Sequence, residues 1–175
     1  MGRSALSPSR GASLARGPHR GALAIPAISV LLATLLSVMP IVSVTGWWPD
    51  AGVLMLLAWR LKRADAWSAW VAAPLGLVHD LTSGAPIGLA VALWPAFMLA
   101  LDVVDRRTMF RDYWIEWMLG AIFVAGFVVA QWQVAAWDGA AVRFVNVAPA
   151  ILINIVCFPI AALLVAMLDR WRMGR

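Results

Sequence analysis

The chain has 175 residues, 63% of them apolar and 13% charged, with fourteen Lys and Arg against nine Asp and Glu. Once apolar blocks long enough to cross a bilayer are set aside, almost nothing is left to build a soluble domain. The net charge of +5 does not point to nucleic acid, because the basic residues flank apolar blocks, where they answer to membrane topology and anionic lipid.

Residues 1–20 are rich in Ser, Gly, Pro and Arg and contain no acid, so they cannot bury enough apolar surface to fold and are expected to be a disordered basic cytoplasmic tail. A cleaved signal peptide is the competing reading. It is disfavoured because the following apolar run is too long for a signal core and no small-residue cleavage site stands out before Trp47.

Six apolar blocks follow: Ala22 to Gly46, Trp47 to Trp59, Ala66 to Thr82, Ala85 to Leu101, Trp114 to Ala136 and Val147 to Leu168. About 20 apolar residues as a helix span the roughly 30 Å hydrocarbon core. The expected fold is therefore an all-α integral membrane protein, a compact bundle of six transmembrane helices over residues 21–170, with residues 171–175 a short cytoplasmic tail. Block two is the short one: only ten residues separate Pro49 from Arg60, about 15 Å of helix. It either crosses with help from Trp47 and Trp48 and snorkelling basic side chains, or forms a re-entrant pair with block one. Pro26, Pro40, Pro95, Pro149 and Pro159 are expected to bend their helices.

Charge favours the crossing helix. On the six-pass map thirteen of the fourteen basic residues fall on one side: Arg3, Arg10, Arg16 and Arg20 before block one, Arg60, Lys62 and Arg63 after block two, Arg106, Arg107 and Arg111 after block four, and Arg170, Arg172 and Arg175 after block six. Arg143 alone falls on the other. The positive-inside rule makes the first side cytoplasmic and both termini internal. Tryptophan agrees, since indole rings favour headgroup depth. Trp47, Trp48, Trp132 and Trp137 mark the external ends, Trp59, Trp67, Trp70, Trp114, Trp117 and Trp171 the internal ends, and Trp94 lies mid-span.

Polar residues inside the blocks are costly and so informative. Asp80 leads, because an ionised Asp at the centre of a membrane helix costs about 2.5–3.5 kcal/mol on insertion scales. Gly76, His79, Asp80, Ser83 and Gly84 share one small, polar stripe if the helix continues that far, a face that suits a neighbouring helix of this chain or a partner. Alternatively Asp80 caps the next helix or faces headgroup water, since Ser83, Gly84 and Pro86 make a turn. Asn154 is expected to hydrogen-bond another helix. Asp102, Asp105 and Asp112 alternate with Arg106, Arg107 and Arg111 in what reads as a solvated charge cluster, and Glu116 is placed to pair with Arg107 or Arg111. Cys157, the single cysteine, excludes a disulfide within the chain. No spacing suggests a metal or cofactor site, and no nucleophile, zinc or phosphate-loop motif is present.

The run Gly76-Leu-Val-His-Asp80-Leu-Thr-Ser-Gly84-Ala-Pro86-Ile-Gly88-Leu resembles a signature of the rod shape-determining MreD family, and Pro49-Asp50 followed by an apolar stretch to Trp59-Arg60 resembles that family's second segment. His79 departs from the pattern, which more usually has an apolar residue there. The resemblance implies a non-enzymatic inner-membrane component of the cell-elongation machinery. It would be held with a bitopic MreC-like partner and would couple MreB-like filaments to a peptidoglycan polymerase and transpeptidase. Partner-binding or helix-packing roles are expected for Gly76, His79, Asp80, Ser83, Gly84, Pro86, Gly88 and Asn154, the small and polar positions of the stripe, the turn after it and the sixth block. The resemblance also implies likeness to the six-helix substrate-binding subunits of energy-coupling-factor transporters. A vitamin-type binding subunit is accordingly the second reading, for which only His79, Asp80, Asn146 and Gln131 are available to line a polar cavity.

Overall fold

In the computed structural model residues 24–36, 48–64, 68–107, 112–139 and 143–172 are described. They form α1 (Ala24–Leu36), α2 (Ala51–Lys62), α3 (Ala69–Ser83), α4 (Leu89–Arg107), α5 (Tyr113–Trp137), a 3-10 turn (Phe144–Asn146) and α6 (Ala148–Arg172). No strand occurs among the described residues. The expected tail over 1–20, Pro40, Trp47, Trp67, Arg111 and residues 173–175 lie outside them. Each apolar block overlaps one helix. Two stretches, Tyr113–Trp137 and Phe144–Arg172, are long and apolar enough to cross a membrane by length and composition.

The shortest of the last five helices is the centre of the bundle. Every residue of α2 from Gly52 to Leu61 is buried, as befits a helix apolar on all sides. α1, α4, α5 and α6 pack against it, and α3 packs on α1 and α4. Twelve residues make about 18 Å of helix, less than a bilayer core. A helix sheathed by others need not match that thickness, because its end groups can find protein partners instead of water. At its start Asp50 accepts a hydrogen bond from the Val53 N–H (3.2 Å), an N-cap that satisfies one of the free donors of the first turn.

Close approaches explain two glycines. A Cβ on Gly76 would lie 2.5 Å from the Ala90 carbonyl oxygen, so α3 and α4 cross backbone to backbone. A Cβ on Gly120 would lie 2.5 Å from Phe158 Cζ, and the ring fills the dent between α5 and α6. Pro159 has no N–H to give to the carbonyl of Ile155 one turn earlier. Trp117 supplies the missing donor, its indole N–H reaching that oxygen at 3.3 Å.

Two sequence expectations are corrected by packing. Trp59, assigned to the interfacial belt, is fully buried and donates its indole N–H to Ser29 Oγ at 2.8 Å. The run Asp102 to Arg106, assigned to a solvated loop, continues α4, and Asp102 and Asp105 pair with the buried Arg60. Glu116 pairs with Lys62; the side chains of Arg107 and Arg111, its expected partners, lie outside the described residues. Trp48, Trp70, Trp114, Trp137 and Trp171 are exposed at or near helix ends, as a belt requires.

Candidate functional site

Polar groups gather at the two ends of α2. At its N-terminal end Asp50 Oδ2 lies 2.8 Å from His79 Nε2, and the Asp50 backbone N–H donates to Asn154 Oδ1 at 2.8 Å. Asn154 Nδ2 in turn donates to the Ala150 carbonyl, also at 2.8 Å. His79 Nδ1 faces Asp80 Oδ1 at 3.9 Å, while Trp94 and Phe127 pack on the imidazole with ring centroids 5.1 and 5.7 Å away. Gly52 makes room for the imidazole. A Cβ there would meet Thr34 Oγ1 at 2.6 Å and His79 Cδ2 at 3.3 Å. Side chains from α1, α3, α4, α5 and α6 thus converge on the first turn of α2.

Asp80 extends this node into the next helix. Its Oδ2 accepts N–H bonds from Gly88 (2.8 Å) and Ala90 (3.1 Å), with Val91 at 3.4 Å, and its Oδ1 accepts from Ala90 at 3.0 Å. These are the free donors of the first turn of α4, where a carboxylate also opposes the positive end of the helix dipole. The chain between the two helices is built to bring them there. Gly84 closes α3 in the left-handed conformation (φ +68°) and Gly88 turns at φ +104°, both costly for other residues. Ser83 Oγ accepts the Ala85 N–H at 3.4 Å, and the Pro86 carbonyl accepts the Leu89 N–H at 3.2 Å.

The stripe of small and polar residues is therefore divided among internal roles. Gly76 touches α4, His79 reaches α2, Asp80 caps α4, and Ser83, Gly84, Pro86 and Gly88 shape the turn. His79, Asp80, Asn154 and Trp94 are all buried, so the node is filled with side chains. Asn146 is exposed in the 3-10 turn and Gln131 half-buried on α5. Asp50 is the node residue that residue-by-residue reading missed. Its place after Pro49 and before an apolar run is an N-cap signal, but nothing in that signal reports His79.

The C-terminal end of α2 carries charge. Arg60, buried, bonds Asp102 and pairs with Asp105 at 3.0 Å; Lys62 pairs with Glu116; Arg63 pairs with Asp169 at 2.8 Å, and Arg172 with the same carboxylate at 3.2 Å. Four cations thus face four carboxylates drawn from α4, α5 and α6, and the cluster is self-compensated, which is the condition for burying charge. Arg172 also lies over the Trp59 ring at 5.8 Å. The two ends together clamp the central helix, one by neutral and charge-assisted hydrogen bonds and one by ion pairs. No group of His, Cys, Asp or Glu among the described residues has the geometry to hold a metal ion.

A family model described as the rod shape-determining protein MreD matches residues 20–171. No curated protein and no solved structure matches the chain.

Proposed function

Because the chain belongs to the MreD family of rod shape-determining proteins, a membrane family, we propose that it acts as a non-enzymatic inner-membrane component of the cell-elongation complex. In this reading it binds a bitopic MreC-like protein and helps couple MreB-like filaments to the polymerase and transpeptidase that build lateral peptidoglycan, and so regulates cell shape. The observation that carries it is the family match over nearly the whole chain. The Asp80-to-Gly88 signature adds to this, for its residues form one connected cap and turn. The helices cross the inner membrane six times with both termini cytoplasmic. Support for that topology comes from the one-sided basic residues. The end of α2 that holds Arg60 is then the cytoplasmic end, and Asp50 and His79 lie toward the outside. A packed polar node and clamped central helix suit a scaffold, whereas a vitamin-binding subunit needs an open polar cavity.

Depletion in the protein's own rod-shaped host tests the reading. Rounding of the cells, reversed by re-expression of the chain, is expected. Rods of normal width and length after complete depletion refute it.

A further inference from the structure

Among the buried polar side chains, His79 belongs neither to the cap of α4 nor to the ion pairs at the far end of α2. Its side chain is 1% exposed and stands between two carboxylates from different helix starts. Nε2 is 2.8 Å from Asp50 Oδ2, in the cap of α2, and Nδ1 is 3.9 Å from Asp80 Oδ1, in the cap of α4. Thr34 of α1, Trp94 of α4, Phe127 of α5 and Asn154 of α6 complete the surround and carry no charge. Among the described residues the ion pairs of Asp50 and Asp80 are both with His79. The other paired cations, Arg60, Lys62, Arg63 and Arg172, gather at the opposite end of α2, about 15 Å along the helix.

The two charge states of this ring differ in what they hold together. As imidazolium, both ring nitrogens carry protons, Nε2–H donates to Asp50, and a positive charge lies between two negative ones in an enclosure where screening is weak. As neutral imidazole the ring keeps one N–H. That proton can serve Asp50, but Nδ1 then turns a lone pair toward Asp80, and the two carboxylates share the enclosure with no cation between them. We propose that Asp50, His79 and Asp80 form a proton-operated latch, in which the imidazolium ties the end of α3 to the first turn of α2 and release of its proton to water loosens both. The side chain of Asp50 is 18% exposed, so a proton has a route in at the mouth of the node. On the topology proposed above that mouth opens outside, and the latch passes the acidity of the external medium to the central helix of the bundle.

The sequence holds two histidines, so His19→Ala leaves His79 as the single imidazole. The full chain with that change is purified in detergent, and hydrogen exchange is measured at about pH 5.5 and about pH 8.5, on either side of the value near 6.5 at which a solvated imidazole titrates. With the intrinsic pH dependence of exchange divided out, protection of residues 51–54 and 78–82 is expected to fall about tenfold or more at the higher pH, the equivalent of one unit in proton affinity. Protection in the middle of α5 should hold. His79→Gln keeps an N–H donor for Asp50 without a titrating ring and should abolish the fall. Asp50→Asn keeps an N-cap but removes one of the two charges, and should shrink the fall to about threefold. The ¹⁵N signals of the His79 ring should pass from two protonated nitrogens to one over the same range. Equal protection at both pH values, an undiminished fall in His79→Gln or in Asp50→Asn, or ring signals that do not change each overturns the latch, and the ring signals decide it even if neither variant folds. Those outcomes leave the shape-determining role to the depletion experiment and the side of the membrane to a reporter fused after Arg175.

Discussion

Replacing Asp80 separates a folding role from every other role this residue can have. Its carboxylate accepts from the Gly88, Ala90 and Val91 N–H groups, and Asp80 is buried. Asp80→Leu leaves those donors unpaired at the start of α4. A buried donor without a partner costs about 1–3 kcal/mol, but water near the helix ends and relaxation of the turn recover part of the sum, so about 3–4 kcal/mol is expected. Asp80→Asn keeps an amide oxygen where Oδ2 receives Gly88 and Val91. It gives up the charge and turns an N–H₂ toward Ala90, for a cost of about 1–2 kcal/mol, the difference between a charge-assisted and a neutral hydrogen bond. For a chain of this size each kcal/mol lowers Tm by about 2–4 °C. Thermal unfolding of detergent-solubilised protein, followed by tryptophan fluorescence, should show a fall of about 3–6 °C for Asn and about 10 °C for Leu. A Tm for Asp80→Leu equal to that of the unmodified protein would refute the cap as a stabilising contact.

Arg60→Ala should destabilise by about 1–3 kcal/mol, because it removes the buried cation that Asp102 and Asp105 share while water reaches the partly exposed carboxylates; combining it with Asp102→Asn and Asp105→Asn should restore part of the loss in the same melts. Gly52→Ala should cost about 1–3 kcal/mol through the clash with Thr34 Oγ1, and Thr34→Ala should relieve it, so a double-mutant cycle should give a favourable coupling, with simple additivity as the contrary result. Gly76→Ala should be worse than Gly52→Ala, since its Cβ meets the Ala90 backbone, which cannot rotate away. A reporter active only in the periplasm, fused after Arg175, should be silent, and activity there would remove the six-pass map.

Local physics made much of this protein legible along the chain. Six apolar blocks, with basic clusters before the first and after the second, fourth and sixth, follow from the cost of leaving polar backbone or charge in hydrocarbon, and each block holds a helix. The turn after α3 could be read from Ser83, Gly84 and Pro86, and its capping use of Asp80 was one of two readings the sequence left open. Asn154 was expected to bond another helix, and its amide oxygen accepts the backbone N–H of Asp50, the residue that caps α2.

Which faces meet was decided by the tertiary structure alone. In a soluble protein an apolar stripe marks the buried side of a helix, but in a membrane bundle lipid-facing and core-facing surfaces are equally apolar, so periodicity loses that information. The central position of α2, the burial of Trp59 and the pairing of Arg60 with Asp102, Lys62 with Glu116 and Arg63 with Asp169 were therefore not readable. Asp50 and His79 stand 29 residues apart and Asp50 and Asn154 104 apart. They meet because each would otherwise bury a polar group without a partner, and only the assembled bundle determines which partner lies within reach.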